Sequence, residues 1–350
     1  MEYELTKKLK NIDLFVPVAT NAKIRLDANE LPADIAAMYP DELTQAVKDA
    51  ALNRYPDPRA EKVTKAFAAC YGLDPEMCTP GNGSMELLSV ILGAFLEKGD
   101  TVLTLSPDFS MYAYYSFLSE LRVENMPKDE SLKINISKVI EKCNNSNIKA
   151  VVFSNPCNPT SIGIRRQDIL RLVKNVFCLC IIDEAYMDYW DESILGDVQD
   201  YDNLIVLRTL TKTGLAGLRL GFAVAQKKIS DMLRAVKSTY NTDSITQAIG
   251  TFMLTHREET ERQIVLVKEQ REYLTNELSQ LADRFFVLER VFPSDTNFVL
   301  TRTQKAAELA EKLLEHDIAV RSLGNYLRVT VGTAEENKAF ISALTEILDV

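Results

Sequence analysis

The chain has 350 residues, enough for about two domains. Its 50 acidic and 40 basic residues give a net charge of −10, whereas a nucleic-acid-binding protein normally carries a basic surplus. The apolar share of 46% is ordinary for a globular protein, and a chain of this length needs no disulfide or metal to stabilise its core.

The sequence indicates neither a membrane span nor an export signal. The longest strictly apolar run, Val176–Ile182, is far shorter than the ~18 residues of a membrane helix. The stretch Met1–Lys8 has no apolar signal core. We therefore expect a cytoplasmic protein without membrane or nucleic-acid partners.

Cysteine and histidine usage argues against a metal site. The six cysteines are scattered, and His256 and His316 are the two histidines of the sequence. Neither a zinc-binding spacing nor a histidine-based catalytic triad can be assembled from them. We expect reduced cysteines and no metal cofactor.

Short apolar runs in the middle of the chain predict β-strands. The runs are 101–105, 149–153, 178–182, 204–207 and 220–224. They are apolar on both sides of the strand alternation, which suits a sheet covered on both faces. Helical periodicity between several of them, such as 167–175, predicts an α/β fold with a mostly parallel sheet.

The last third of the chain has a different pattern, typical of a smaller α+β domain. Residues 229–281 are charged and helical in periodicity, and a terminal helix is predicted over about 335–348. Four strands are predicted between them, over 285–290, 296–300, 318–321 and 327–331.

These patterns predict the domain organisation. We expect an N-terminal segment (1–40) that contains no sheet strand and packs on the small domain, a large domain (41–240) and a small domain (241–350).

Polar corners follow the predicted strands of the large domain. Ser106, Ser154, Asp183 and Arg208 each begin such a corner. Ligands of open α/β sheets bind just beyond the carboxyl ends of the strands, so these corners should converge on one site.

Three features of the chain suggest chemistry, although each also has a plainer explanation. Gly81–Ser84 opens an apolar helix and could cradle a phosphate, or could be an ordinary helix start. Asp183 could bind a metal, act as a base, pair with a buried cation or cap a helix. Lys212 lies among hydroxyl residues after a predicted buried strand. It could be an amine that attacks a carbonyl group, or an ordinary surface lysine.

Together these features are the parts needed to bind pyridoxal 5'-phosphate. The chain resembles the fold-type-I aminotransferases, and within them the histidinol-phosphate aminotransferase family. The resemblance rests on ordered segments along nearly the whole chain: Asp27–Glu30, Leu52–Asp57, Gly81–Ser84, Asn158–Thr160, Asp183–Tyr186, Ala216–Arg219 and Leu327–Gly332.

The resemblance implies roles for individual residues around the cofactor. Lys212 would bind the cofactor covalently and move a proton, and Asp183 would pair with the ring nitrogen. Asn158 and Tyr186 would bond the ring's 3-oxygen, and Phe109 would stack on the ring. The phosphate would be bound by Ser84, Met85, Thr209, Thr211, Arg219 and, from the partner subunit of a homodimer, Tyr55.

Substrate binding is expected from Asn29, Arg321 and Arg328. Arg328 would bind the carboxylate of the amino donor. Arg321 and Arg328 fall on two predicted strands joined by a short turn, where two guanidinium groups can hold a phosphate dianion.

The chain departs from the family pattern at four places. Ser161 replaces a glycine. Met85 replaces an acid, but the Met85 backbone amide should still donate to a phosphate. Lys212 and Arg219 are one residue closer than usual, which predicts a tighter loop. In Phe15–Pro17, Val16 stands where a substrate-contacting tyrosine is common.

The resemblance implies a ping-pong transamination of small-molecule substrates in histidine biosynthesis, with histidinol phosphate and 2-oxoglutarate/glutamate as the pair. A threonine-phosphate decarboxylase-like enzyme, another amino-acid (aromatic) aminotransferase and a non-enzymatic pyridoxal-phosphate-binding regulator remain alternatives. A dinucleotide-binding protein is disfavoured because no Gly-x-Gly-x-x-Gly follows the first strands.

Overall fold

The computed structural model describes residues 4–10 and 21–349, so the Phe15–Pro17 segment lies outside the described residues. The strands are β1 (Ile24–Leu26), β2 (Cys78–Gly81), β3 (Thr101–Ser106), β4 (Arg122–Pro127), β5 (Ile148–Ser154), β6 (Leu179–Asp183), β7 (Leu204–Thr209), β8 (Gly221–Ala225), β9 (Arg290–Val291), β10 (Phe298–Arg302), β11 (Ile318–Leu323) and β12 (Tyr326–Thr330). The helices are α1 (Lys7–Lys10), α2 (Pro40–Asp49), α3 (Glu61–Tyr71), α4 (Ser84–Phe95), α5 (Met111–Leu118), α6 (Ile136–Asn145), α7 (Arg166–Lys174), α8 (Lys227–Val236), α9 (Ser244–Thr255), α10 (Glu258–Arg284), α11 (Ala306–Glu315) and α12 (Ala334–Asp349).

Seven strands form the larger sheet, in the order β2-β8-β7-β6-β5-β3-β4. The strands from β3 to β7 run parallel, while β8 is antiparallel to both of its neighbours. The apolar runs of β5 to β8 are almost wholly buried, as expected for a sheet covered on both faces. The predicted α/β fold with a mostly parallel sheet is confirmed.

Both edge strands of this sheet were absent from the sequence prediction. The sequence of β4, Arg-Val-Glu-Asn-Met-Pro, is polar because the strand is only half-buried. In β2, Pro80 and Gly81 are poor strand formers that an edge position tolerates.

The smaller sheet has the order β1-β11-β12-β10-β9 and corrects two expectations. The first 40 residues do contain a strand, since β1 pairs in parallel with β11 and places Ile24 opposite Ile318. Three residues are too few to show a periodic pattern. The predicted strand over 285–290 is wrong, because Arg290 is its sole residue in a strand, the two-residue β9. The domain boundaries at residues 40 and 240 stay predictions.

The carboxyl ends of the parallel strands meet at one edge of the large sheet. Ser154 at the end of β5 lies opposite Asp183 at the end of β6, and Asp183 lies opposite Leu207 of β7. This register brings the polar corners together, as the sequence predicted. No helix among residues 4–10 and 21–349 is long and apolar enough to cross a bilayer.

Candidate active site

A cavity of about 490 Å³ lies at this edge, between the large sheet, the Asp27–Glu30 segment and strands β11 and β12. All but one of the predicted site residues line it. They are Asn29, Ser84, Met85, Phe109, Asn158, Asp183, Tyr186, Thr209, Thr211, Lys212, Arg219, Arg321 and Arg328.

Tyr55 is the exception. Its side chain is 81% exposed and stacks on Tyr240, with the ring centroids 4.6 Å apart. Tyr55 therefore contributes nothing to the cavity of its own chain.

One end of the cavity is built to receive an anion. Helix α4 begins at Ser84, and its first amide groups have no carbonyl partner within the helix. A Cβ atom on Gly221 would come within 2.7 Å of the Ser84 nitrogen, and one on Gly83 within 3.1 Å of the Arg219 guanidinium. Gly221 thus leaves room for the start of the helix, and Gly83 leaves room for the Arg219 side chain beside it.

Two buried threonines extend this anion-binding end. The hydroxyl of Thr209 donates to the hydroxyl of Thr211 across 3.0 Å. The short link to Arg219 is achieved by a 3-10 turn over Ala216–Leu218, after which Arg219 adopts a left-handed conformation with φ 53°.

Asp183 is the buried carboxylate of the cavity. It accepts hydrogen bonds from the Tyr112 hydroxyl at 3.0 Å and from the Ala185 amide at 3.1 Å. Burial raises the pKa of Asp183 to about 6, against the lowering effect of those two bonds. Both donors are neutral, so a cationic ligand group beside Asp183 would supply the counter-charge that a buried carboxylate needs.

Lys212 reaches into the same cavity. Its Nζ donates to the carbonyl oxygen of Ala28 at 3.2 Å and lies 5.7 Å from the centroid of the Tyr186 ring. The Tyr189 hydroxyl donates to the Lys212 carbonyl oxygen at 2.6 Å and fixes the backbone there. The amine is therefore held by a neutral acceptor, which a ligand can replace at small cost.

Polar contacts link the opposite wall of the cavity. The amide of Asn29 donates to the Tyr186 hydroxyl at 2.9 Å. Arg328 donates from Nη1 to Asn158 Oδ1 at 2.7 Å and from Nη2 to the Asp27 carbonyl oxygen at 2.6 Å. Arg328 Nε is buried without a hydrogen-bond partner. A buried donor left unpaired is costly, so this group is suited to an acidic ligand.

Ser161 has a structural explanation. Its φ of 63° is left-handed, the conformation in which glycine is favoured. The serine hydroxyl donates to the Pro293 carbonyl oxygen at 2.8 Å, which offsets part of the strain.

Tyr112 is a site residue that the sequence motifs did not indicate. Tyr112 lies three residues after Phe109 at the start of α5, and the two rings meet edge to face at 5.6 Å. Their spacing was the available signal, since residues three apart share one face of a helical turn.

Comparison with known proteins gives the family. Residues 21–344 match the family model for aminotransferase class I and II. The chain belongs to this family. The histidinol-phosphate aminotransferase of Clostridium novyi is 36% identical to it over 344 residues, covering 97% of this chain and 95% of that relative. The resemblance inferred from the motifs is confirmed, and the protein is an aminotransferase.

Solved structures agree with the fold. The histidinol-phosphate aminotransferase from Sinorhizobium meliloti, in complex with pyridoxal-5'-phosphate, has a TM-score of 0.86 at 21% identity and covers 99% of this chain and 97% of its own. The L-threonine-O-3-phosphate decarboxylase from Porphyromonas gingivalis has a TM-score of 0.80 at 23% identity. The match covers 93% of this chain and 100% of the decarboxylase chain. At these identities the likenesses show the fold-type-I architecture alone.

Proposed function

We propose that this aminotransferase binds pyridoxal phosphate at Lys212 and transfers the amino group of histidinol phosphate to 2-oxoglutarate, as a cytoplasmic homodimer in histidine biosynthesis. The observation that carries the proposal is one cavity that joins Lys212 and Asp183 to the arginine pair Arg321 and Arg328. The curated relative from Clostridium novyi supports the substrate.

The described residues fit the cofactor. Pyridoxal phosphate supplies, when bound, a carbonyl group that takes up an amine and a ring that withdraws electrons. The amides at the start of α4 (Ser84 and Met85) and the side chains of Thr209, Thr211 and Arg219 would hold its phosphate. Asp183 would ionise beside the ring nitrogen, and Tyr186 and Asn158 would bind a ring oxygen.

Lys212 carries out the proton transfer in this proposal. Its Nζ has a carbonyl oxygen as its partner, so the amine is not neutralised by a carboxylate. Once substrate occupies the cavity, Nζ would take the proton from the substrate's α-carbon and return it in the second half of the cycle. Tyr189 keeps the lysine backbone in place during this transfer.

The arginine pair would distinguish the substrates. Arg328, with its unpaired Nε, would bind the carboxylate of glutamate or 2-oxoglutarate. Arg321 adds a second guanidinium for the phosphate of histidinol phosphate, since arginine presents a planar fork to such anions. Asn29 would act mainly by holding the Tyr186 hydroxyl.

Three alternatives lead to different expectations. A phosphothreonine decarboxylase would use the same arginine pair, but its structural likeness extends to the fold alone. A regulator without turnover would have no need of an amine, a buried carboxylate and an unpaired arginine donor in one cavity. An aromatic aminotransferase would not require the second guanidinium.

Cofactor attachment and substrate choice can be tested in one preparation. Protein loaded with pyridoxal phosphate is reduced with borohydride and digested, and we expect the labelled peptide to contain Lys212. Lys212→Ala should give no labelled peptide, and a label on another lysine would overturn the site. Unreduced protein is then mixed with phosphorylated and unphosphorylated amines, and histidinol phosphate should change the bound cofactor's absorbance most.

A further inference from the structure

A second cavity of about 490 Å³ adjoins the first at Ser154, and Lys128 and Cys157 line it. Ser154 borders both cavities, and Asp108 borders the first. Lys128 directly follows β4, and Cys157 lies in the turn after β5. Neither is needed by the function proposed above.

The amine and the thiol are in unusually close contact. Lys128 Nζ lies 2.8 Å from Cys157 Sγ and 2.9 Å from the Pro107 carbonyl oxygen. Its carboxylate neighbour, Asp108, is farther away at 3.8 Å, because Asp108 accepts hydrogen bonds from the Ser154 hydroxyl and the Phe109 amide. The thiol is therefore the nearest contact of a lysine whose side chain is only 4% exposed.

We propose that Lys128 and Cys157 form an oxidative modification site, in which one oxygen atom becomes a covalent bridge between Nζ and Sγ. The two atoms already lie at a separation that a single oxygen can span, and the second cavity gives a small oxidant access to both. The oxidant is dioxygen, or two equivalents of hydrogen peroxide in its place, which leave three water molecules.

The reaction balances with dioxygen. The Lys128 ammonium first releases one proton to solvent through the cavity. The Cys157 S–H bond and one Lys128 N–H bond then break, and S–O and N–O bonds form. Sulfur and nitrogen together lose four electrons, which reduce dioxygen to the bridging oxygen and one water molecule. Two equivalents of a dithiol reverse the change and return the thiol, the amine and a second water.

The bridge would alter the first cavity. It removes the positive charge beside Asp108, whose carboxylate contacts the Phe109 amide and Ser154. It also ties the turn that carries Cys157 and Asn158 to the end of β4. In that turn the Asn158 backbone amide donates to the Ser154 hydroxyl at 3.1 Å. Both changes displace groups that face the proposed cofactor, so the bridged form should be less active.

Mass spectrometry tests the proposal without relying on the proposed function. Protein exposed to air or hydrogen peroxide is analysed intact and after non-reducing digestion. We expect a species that has gained one oxygen and lost two hydrogens, a cross-linked peptide pair containing Lys128 and Cys157, and loss of tryptic cleavage after Lys128. Dithiothreitol should restore the original mass.

Variants identify the atoms involved. Cys157→Ser and Lys128→Arg should both abolish the species. Cys70→Ser should retain it, because the Cys70 thiol contacts the Leu254 carbonyl oxygen instead. Oxidation of Cys157 to an oxyacid with Lys128 uncoupled, or an unchanged Cys157 in wild-type protein after Cys70 has oxidised, would overturn the proposal.

An activity measurement tests whether the bridge regulates transamination, separately from whether the bridge forms. Transamination should fall in proportion to the bridged fraction and recover with dithiothreitol. A bridge that leaves the rate unchanged would overturn the regulatory part. A bridge in protein that transaminates none of the tested amines would count against the proposed function and leave the modification site established.

Discussion

Arg321 and Arg328 lie directly opposite each other in the antiparallel pairing of β11 and β12, and both line the cavity that contains Lys212. Burial lowers the pKa of Arg328, and the neighbouring Arg321 lowers it further. Two like charges at one register position repel each other, so a bound dianion would relieve a repulsion that the free site contains.

The arginine pair predicts a selective effect of Arg321→Ala. The variant should lose roughly 10- to 150-fold of the preference for histidinol phosphate over histidinol, the value of one charge-assisted contact of ~1.5–3 kcal/mol. Turnover of glutamate should change much less, because Arg328 would bind its carboxylate. The measurement is kcat/KM for the three substrates.

Arg302→Ala is the matched control, since Arg302 lies on the neighbouring strand β10 and pairs with Glu289. It should leave the preference intact. A loss at Arg321 confined to glutamate would argue against phosphate recognition and for a general amino-acid aminotransferase.

Asp183→Asn should stabilise the cofactor-free protein while abolishing its chemistry. The folded-state pKa of about 6 lies above the unfolded value of about 3.9. Below about pH 4 the Asp183 carboxyl is protonated and does not lower the free energy of unfolding. As the pH rises to about 6, the unfolded state ionises more readily than the folded state, and the free energy of unfolding falls. Above that range the variant should therefore be more stable by at most about 3 kcal/mol, as measured by urea unfolding of cofactor-free protein.

The same variant at low pH is its own control, because the stability difference should vanish below about pH 4. With cofactor bound, transamination should fall by orders of magnitude while the phosphate remains held. Near-normal turnover would mean that Asp183 merely accepts the hydrogen bond from the Ala185 backbone amide.

Ser161 offers a pair of substitutions that separate strain from hydrogen bonding. Ser161→Ala keeps the left-handed φ and loses the bond to Pro293, so it should cost about 1 kcal/mol of unfolding free energy. Ser161→Gly loses the same bond but gains about 1 kcal/mol of conformational relief, so the two effects should nearly cancel. Equal destabilisation by both variants would show that φ is not the controlling factor.

Tyr55 tests the shared active site. We expect a homodimer in sedimentation, and Tyr55→Phe should weaken pyridoxal-phosphate binding roughly 10- to 150-fold, the value of one bond to a charged group. Hybrids of Tyr55→Phe and Lys212→Ala chains should regain one tight site per dimer, since each chain supplies what the other lacks. A fully active monomer, or hybrids with no tight site, would refute the arrangement.

The sequence predicts those parts of the fold in which the residue type depends directly on local burial. The runs around Val151, Ile181 and Val206 are apolar because their strands are covered on both faces. The polar corners at Ser154 and Asp183 could be placed together because parallel strands share a carboxyl edge.

The features missed depend on contacts distant in sequence. Strand β1 exists through its pairing with β11, almost 300 residues away, and its three residues show no pattern of their own. The contact of Tyr112 with Asp183 and that of Lys128 with Cys157 likewise arise from tertiary packing. Phe285 and Phe286 look like strand residues, yet they lie in the turn after α10.

Transamination of a phosphorylated amine in the cavity can be measured as glutamate formation from 2-oxoglutarate, with histidinol phosphate, histidinol and phosphothreonine as competing donors. We predict one glutamate per histidinol phosphate consumed, a much lower kcat/KM for histidinol, and no release of carbon dioxide from phosphothreonine. Equal kcat/KM for histidinol and histidinol phosphate, or carbon dioxide release without glutamate, would contradict it.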